Sequence, residues 1–95
     1  MNDVFRALAD PSRREILRLL RQGPRSSGEI AQHFQSSWPT ISRHLGVLRD
    51  AELVLVERQG QHIVYELNTT VLDDLVEIMI GWIRPSGDDR GGSDA

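Results

Sequence analysis

The sequence predicts a mainly α domain with one small β-hairpin, an α+β chain in the order ααααββα. Three observations carry this reading. Four stretches before residue 52 repeat apolar residues at helical spacing, each with its own start or stop signal. One polar break around Gly60 separates two β-rich runs. The stretch 71–83 then carries more apolar surface than a single core contact needs.

The elements follow in order. DVFRALAD (3–10) is a short helix with Val4, Phe5 and Leu8 on one side. DPSRREILRLLRQG (10–23) opens on Asp10, a natural N-cap, and Pro11 suits the first helical position, where its missing N–H costs nothing. Its apolar face is Ile16, Leu17, Leu19 and Leu20, and Gly23-Pro24 stops it. SSGEIAQHF (26–34) starts with Ser26-x-x-Glu29, a capping box, and turns Ile30, Ala31 and Phe34 inward. Gln35 to Ser37 lead into a longer helix over 37–51, with Ser37 as N-cap and Pro39 in the first turn. Ile41, Leu45 and Leu48 form its core stripe. LVLVERQGQHIVYEL (53–67) is a hairpin turning through Arg58-Gln59-Gly60-Gln61. NTTVLDDLVEIMIGWI (68–83) is the last helix, with Thr69 or Thr70 as cap and Asp73 and Asp74 near the positive end of its dipole. RPSGDDRGGSDA (84–95) is polar and rich in Gly and Asp, so residues 1–83 form the domain and 84–95 a disordered tail.

Composition narrows the function. A 95-residue chain is one small domain, short enough to be helped by association. No run of about 18 apolar residues exists, so no membrane insertion is expected. MNDVFRALAD has no basic region followed by an apolar one, so a cytoplasmic protein is expected. The absence of cysteine excludes disulfides, thiolate metal sites and thiol switches. No two histidines stand at i,i+3 or i,i+4, so no metal and no cofactor is expected. No Ser/His/Asp arrangement, glycine-rich phosphate loop or paired carboxylate in an evident pocket marks an enzyme. The net charge of −3 hides an asymmetry. Residues 1–64 hold nine Arg against seven Asp and Glu (+2), while residues 65–95 hold two against seven (−5).

Helices 26–34 and 37–51, joined by a short turn, read as a helix-turn-helix, and the hairpin that follows reads as a wing. The second helix has an unusual outer face. Opposite its core stripe stand Pro39, Ser42, Arg43 and Gly46, with Arg49 at the edge and Trp38 at the start. Small side chains allow close approach to a groove about 12 Å wide. Ser42 and Thr40 can donate to bases or phosphates, and Arg43 can make a bidentate contact with guanine. Trp38 can stack on sugar or pack on a thymine methyl. His44, about 60° off the stripe, is expected to be partly buried and to reach backbone or phosphate. Arg49 and Arg58 are expected on phosphates, with Gln61 and His62 in the wing; Arg13-Arg14 are either structural or reach the DNA backbone. The runner-up is a winged-helix protein-interaction module with Trp38 as its hot spot. On the last helix the apolar residues fill an arc of roughly 200°, against about 100° for one core contact. A twofold mate is the expected cover, through Leu72, Leu75, Val76, Met79, Trp82 and Ile83 together with Val4, Phe5 and Leu8.

FRALADPSRREILRLL, EIAQHF, SSWPTISRHLGVLRDAELV and RQGQHIVYELN together resemble the ArsR-type winged-helix repressors over about residues 4–83. The ending LNTTVLDDLVEIMIGWI is most similar to the SdpR-like autorepressor subgroup. The resemblance implies a homodimer built on the first and last helices. It also implies a double-stranded operator near the protein's own promoter, and an inducer or anti-repressor protein that the sequence does not identify. Metal-sensing members carry a cysteine motif on the third helix or Asp/His and His/Glu pairs on the last. Here SSGEIAQHF has no thiol, and Asp73, Asp74 and Glu77 have no histidine beside them. Trp38 stands where a polar residue is usual, Gly46 where Lys is common, Gln61 where a basic residue is frequent, and Glu52 where glycine is usual.

Overall fold

The computed structural model describes residues 2–84. The elements are α1 (Asn2–Leu8), α2 (Pro11–Leu20), β1 (Arg25–Ser26), α3 (Ser27–Phe34), α4 (Trp38–Asp50), β2 (Val54–Gln59), β3 (His62–Leu67) and α5 (Thr69–Ile83). Residues 85–95, most of the expected tail, lie outside the described residues; Arg84 closes α5 by donating its N–H to Ile80 O at 3.0 Å.

The start signals of α2 and α3 act as their spacing predicts. Asp10 Oδ1 accepts the N–H groups of Ser12 (2.7 Å) and Arg13 (3.3 Å), which fixes the first turn of α2. The Ser26–Glu29 capping box is complete, with Ser26 N–H donating to Glu29 at 2.8 Å and Glu29 N–H to Ser26 Oγ at 3.2 Å. The cap of α5 is a correction. Asn68, not a threonine, accepts from Val71 N–H at 3.5 Å. Its amide also donates to Glu52 O at 3.0 Å, and its own N–H donates to Leu53 O at 3.0 Å. One residue thus starts α5 and ties it to the end of α4, through an acceptor (Oδ1) and a donor (Nδ2) on separate atoms.

The sheet has a third strand that the sequence reading lacked. Its order is β1-β3-β2, all antiparallel, with Arg25 opposite Tyr65 and Ser26 opposite Val64. Two residues are too few to show alternation. The hairpin pairs Gln59 with His62, leaving only Gly60 and Gln61 in the turn. Gly60 takes φ 64° at the first turn position, where a side chain would be strained. Arg58 and Gln59 therefore belong to β2 rather than to the turn.

The core joins every helix. Ala7, Ile16, Ile30, Ile41, Leu48 and Leu53 are fully buried, with Leu20, Leu45 and Leu75 close behind. The stripe Ile41–Leu45–Leu48 is inward, as its spacing predicts. After α4 the chain reverses through a Schellman motif: Leu53 N–H donates to Leu48 O (3.0 Å) and Glu52 N–H to Arg49 O (2.9 Å). Glu52 sits there at φ 62°, the left-handed region.

Candidate nucleic-acid interface

The turn between α3 and α4 is made by Gln35 at φ 53°, followed by Ser36 and Ser37. Ser37 is the N-cap residue of α4, in extended conformation, but its hydroxyl does not bond the helix backbone. It pairs instead with Thr40 Oγ1 at 3.0 Å. Helices α2, α3 and α5 all receive a side-chain cap, and α4 does not. Pro39 has no N–H, and the first-turn N–H groups of Trp38 and Thr40 have no acceptor among the described residues. Such an end favours an anion.

Above this end lies the outer face. Trp38 is 47% exposed, and Pro39, Ser42, Arg43 and Arg49 are exposed beside a half-buried Thr40. Arg43 makes no hydrogen bond or ion pair among the described residues, and Arg49 only approaches Asp50 at 3.9 Å. Gly46 meets nothing within 4 Å of a built Cβ, so that part of the face is open. Arg58, Gln61 and His62 are exposed together at the hairpin tip, a separate group from the α4 face. His62 lines an open hollow with Pro24, Ser26, Glu29, Gln59 and Val64. Glu29 is held below its ordinary acidity range, first by the Ser26 N–H and to a lesser extent by the charges of Arg25 and His62.

His44 is corrected. It is 6% exposed and faces inward, away from any outside phosphate. Its Nδ1 lies 3.2 Å from Arg13 Nη1. The same guanidinium donates to Ala7 O (2.8 Å) and Arg6 O (3.0 Å), and Arg14 donates to Leu8 O (2.8 Å). Both arginines therefore close the C-terminal carbonyls of α1, and that contact is structural. The flank of α4 carrying His44 is covered because α1 and α2 both pack on α4.

The apolar surface of α5 divides into two parts. Leu75 is 5% exposed and Val4 7%, so both belong to the interior of the single chain, not to an outer contact as expected. Leu8 and Leu72 are half-buried against that core. The C-terminal half stays open: Val76 is 54% exposed, Trp82 64% and Ile83 76%, with Met79, Ile78 and Ile80 beside them. Phe5 joins this surface, its ring 5.8 Å from that of Trp82. Among the described residues no group of three or more His, Cys, Asp or Glu could hold a metal ion, and no helix is long and apolar enough to cross a membrane.

A short helix, a left-handed turn, a second helix with a bare outer face and a hairpin directly behind it define the winged helix-turn-helix class. The chain belongs to the ArsR family: residues 10–56 match "Bacterial regulatory protein, arsR family". It is 48% identical over 89 residues to the transcriptional repressor SdpR of Bacillus subtilis, covering 94% of this chain and 99% of that protein. The fold is similar to the crystal structure of a possible transcriptional regulator for arsenical resistance (TM-score 0.75, 32% identity, 95% of this chain and 93% of that one). It is also similar to the NMR structure of a homodimeric winged helix-turn-helix DNA-binding domain from Mycobacterium bovis, a possible ArsR-family regulator (TM-score 0.69, 31% identity, 84% of this chain and 77% of that one).

Proposed function

We propose that the protein is a homodimeric transcriptional repressor that reads a palindromic operator with α4 and steadies it with the hairpin. The observation that carries this is the outer face of α4: exposed Ser42 and Arg43, whose side chains make no hydrogen bond or ion pair among the described residues, over a fully buried apolar stripe. Ser42 and Arg43 read base edges, helped by Trp38, Pro39 and Thr40. The uncapped N-terminus of α4 takes a phosphate, as do Arg49 and Arg58, while Gln61 and His62 lie along the backbone at the wing tip. A second copy covers Phe5, Val76, Met79, Trp82 and Ile83, with Leu8 and Leu72 at the margin. The relatedness to a repressor and the likeness to a homodimeric DNA-binding domain support the same reading.

The test is a salt titration of fluorescence anisotropy on duplexes selected in vitro with the purified protein, beginning with DNA upstream of its own gene. Specific binding should fall linearly with log salt, by about 0.9 per phosphate neutralised. The exposed Trp38 favours one other reading, docking on a protein. A protein that selects no duplex even at low salt would overturn the DNA reading.

A further inference from the structure

Three helices meet at one side chain. The Arg13 guanidinium leaves α2, donates to the carbonyls of Arg6 and Ala7 in the last turn of α1, and faces His44 Nδ1 of α4 at 3.2 Å. An arginine has no acceptor, so this geometry requires His44 to be neutral and to accept at Nδ1. His44 adjoins Arg43 in sequence, so a rotation of α4 that breaks the contact also re-aims Arg43. The far partner, α1, carries Phe5, which packs on Trp82 in the exposed apolar surface. The guanidinium is thus the polar link between the surface assigned to the second copy and the helix assigned to DNA.

We propose that Arg13 is a positioning residue for DNA recognition: it pins α4 to the end of α1 through neutral His44, and a proton on His44 releases the reading face. The inference rests on the reading of α4 as the DNA-contacting helix. A protonated imidazole would turn an N–H toward a guanidinium that can only donate, setting two cations against each other. Burial holds His44 below the ordinary histidine range; Asp10, at the start of α2, opposes this, while Arg13 and Arg43 reinforce it. From α1, Asp3 and Arg6 lie further along α4, lining a hollow with Val47 and Asp50. Asp10 is itself set by competing effects: desolvation raises it, and the N–H groups of Arg13 and Ser12 with the charge of Arg13 bring it below its ordinary value.

The test measures affinity for an in-vitro-selected duplex and for a scrambled one, at about pH 7.5 and about pH 4.5, the lower value set well past the ordinary histidine range because burial holds His44 below it. His44→Asn keeps an acceptor near the Nδ1 position and cannot titrate there, while His33 and His62 remain in both proteins. Wild type should lose about tenfold in its preference for the selected duplex on acidification, the scale of one charge-assisted hydrogen bond. His44→Asn should stay within about threefold of wild type at the higher pH and hold that affinity at the lower. Arg13→Met should lose about tenfold on the selected duplex at both pH values, with scrambled binding and dimer mass unchanged. If Arg13→Met does not fold, the His44→Asn arm decides alone: a wild-type pH profile in His44→Asn overturns the proposal. A wild-type protein that selects no duplex overturns the reading of α4, and this inference with it. Wild-type selection with variants indistinguishable from it overturns the Arg13 link alone.

Discussion

Glu52→Gly should make the protein more stable, and the structure gives the size. Glu52 is the residue after the Ala51 cap, held at φ 62° by the two Schellman hydrogen bonds that end α4. A Cβ in that conformation costs about 1–2 kcal/mol. Its exposed side chain makes no hydrogen bond or ion pair among the described residues that would offset this. Glycine returns part of the gain, because its greater freedom in the unfolded chain costs about 0.4–1 kcal/mol. The net is roughly 0.5–1 kcal/mol, or about 2–8 °C in melting temperature for a domain of this size. The backbone contacts, including Glu52 O to Asn68 at 3.0 Å, are unaffected. Circular-dichroism melts at one fixed protein concentration measure it, since association shifts apparent stability. Glu52→Ala is the control: it removes the same charge, keeps the Cβ, and should not raise the midpoint by this amount. Glycine melting at or below wild type would refute the argument.

Two further outcomes follow from burial and charge. Leu75→Glu places a carboxylate in the interior of the single chain and should unfold it, whereas Met79→Glu, on a residue 40% exposed, should leave the fold intact and weaken self-association. Light scattering with circular dichroism separates the two, and a dimeric Met79→Glu protein would contradict the assigned interface. His44 is held below the ordinary histidine range by burial, with Asp10 opposing and Arg13 and Arg43 assisting. The unfolded chain then binds a proton at higher pH than the folded one, so this stability is full above about pH 6.5 and lost as pH falls through the folded value. Urea midpoints for wild type and His44→Asn should diverge between about pH 7 and pH 5, with wild type losing more.

Most of the fold was legible because its signals are local. Asp10-Pro11, Ser26-x-x-Glu29 and the stripe Ile41–Leu45–Leu48 each lie within a few turns of one helix, and each takes the role its spacing predicts. What was not legible depends on distant partners. His44 is covered by α1 and α2 and bonded across 31 residues, which an angle on a helical wheel does not reveal. Val4 and Leu75 share a helical face with Phe5 and Met79, but the wheel gives direction and not depth, so core and outer surface were read as one. Asn68 wins the cap of α5 from its threonine neighbours because its amide also reaches Glu52 O, a contact made only once the hairpin brings the chain back. The strand β1 exists only by pairing with β3. On α4, Pro39, Ser42, Arg43 and Arg49 are exposed where the wheel places them, while Gly46 on the same face is half-buried.

Arg43→Ala decides whether this outer face of α4 reads DNA. Arg43 is exposed, opposite the buried stripe and without an ion pair among the described residues, so its removal should leave the melting temperature at the wild-type value. Affinity is measured for the selected duplex and for a panel with each base pair changed in turn. The expected result is a loss of about 1–3 kcal/mol per half-site, together with relaxed preference at one base position and little change on scrambled DNA. An Arg43→Ala protein that binds the selected duplex as tightly as wild type, with every base preference intact, would show that this face is not the reader.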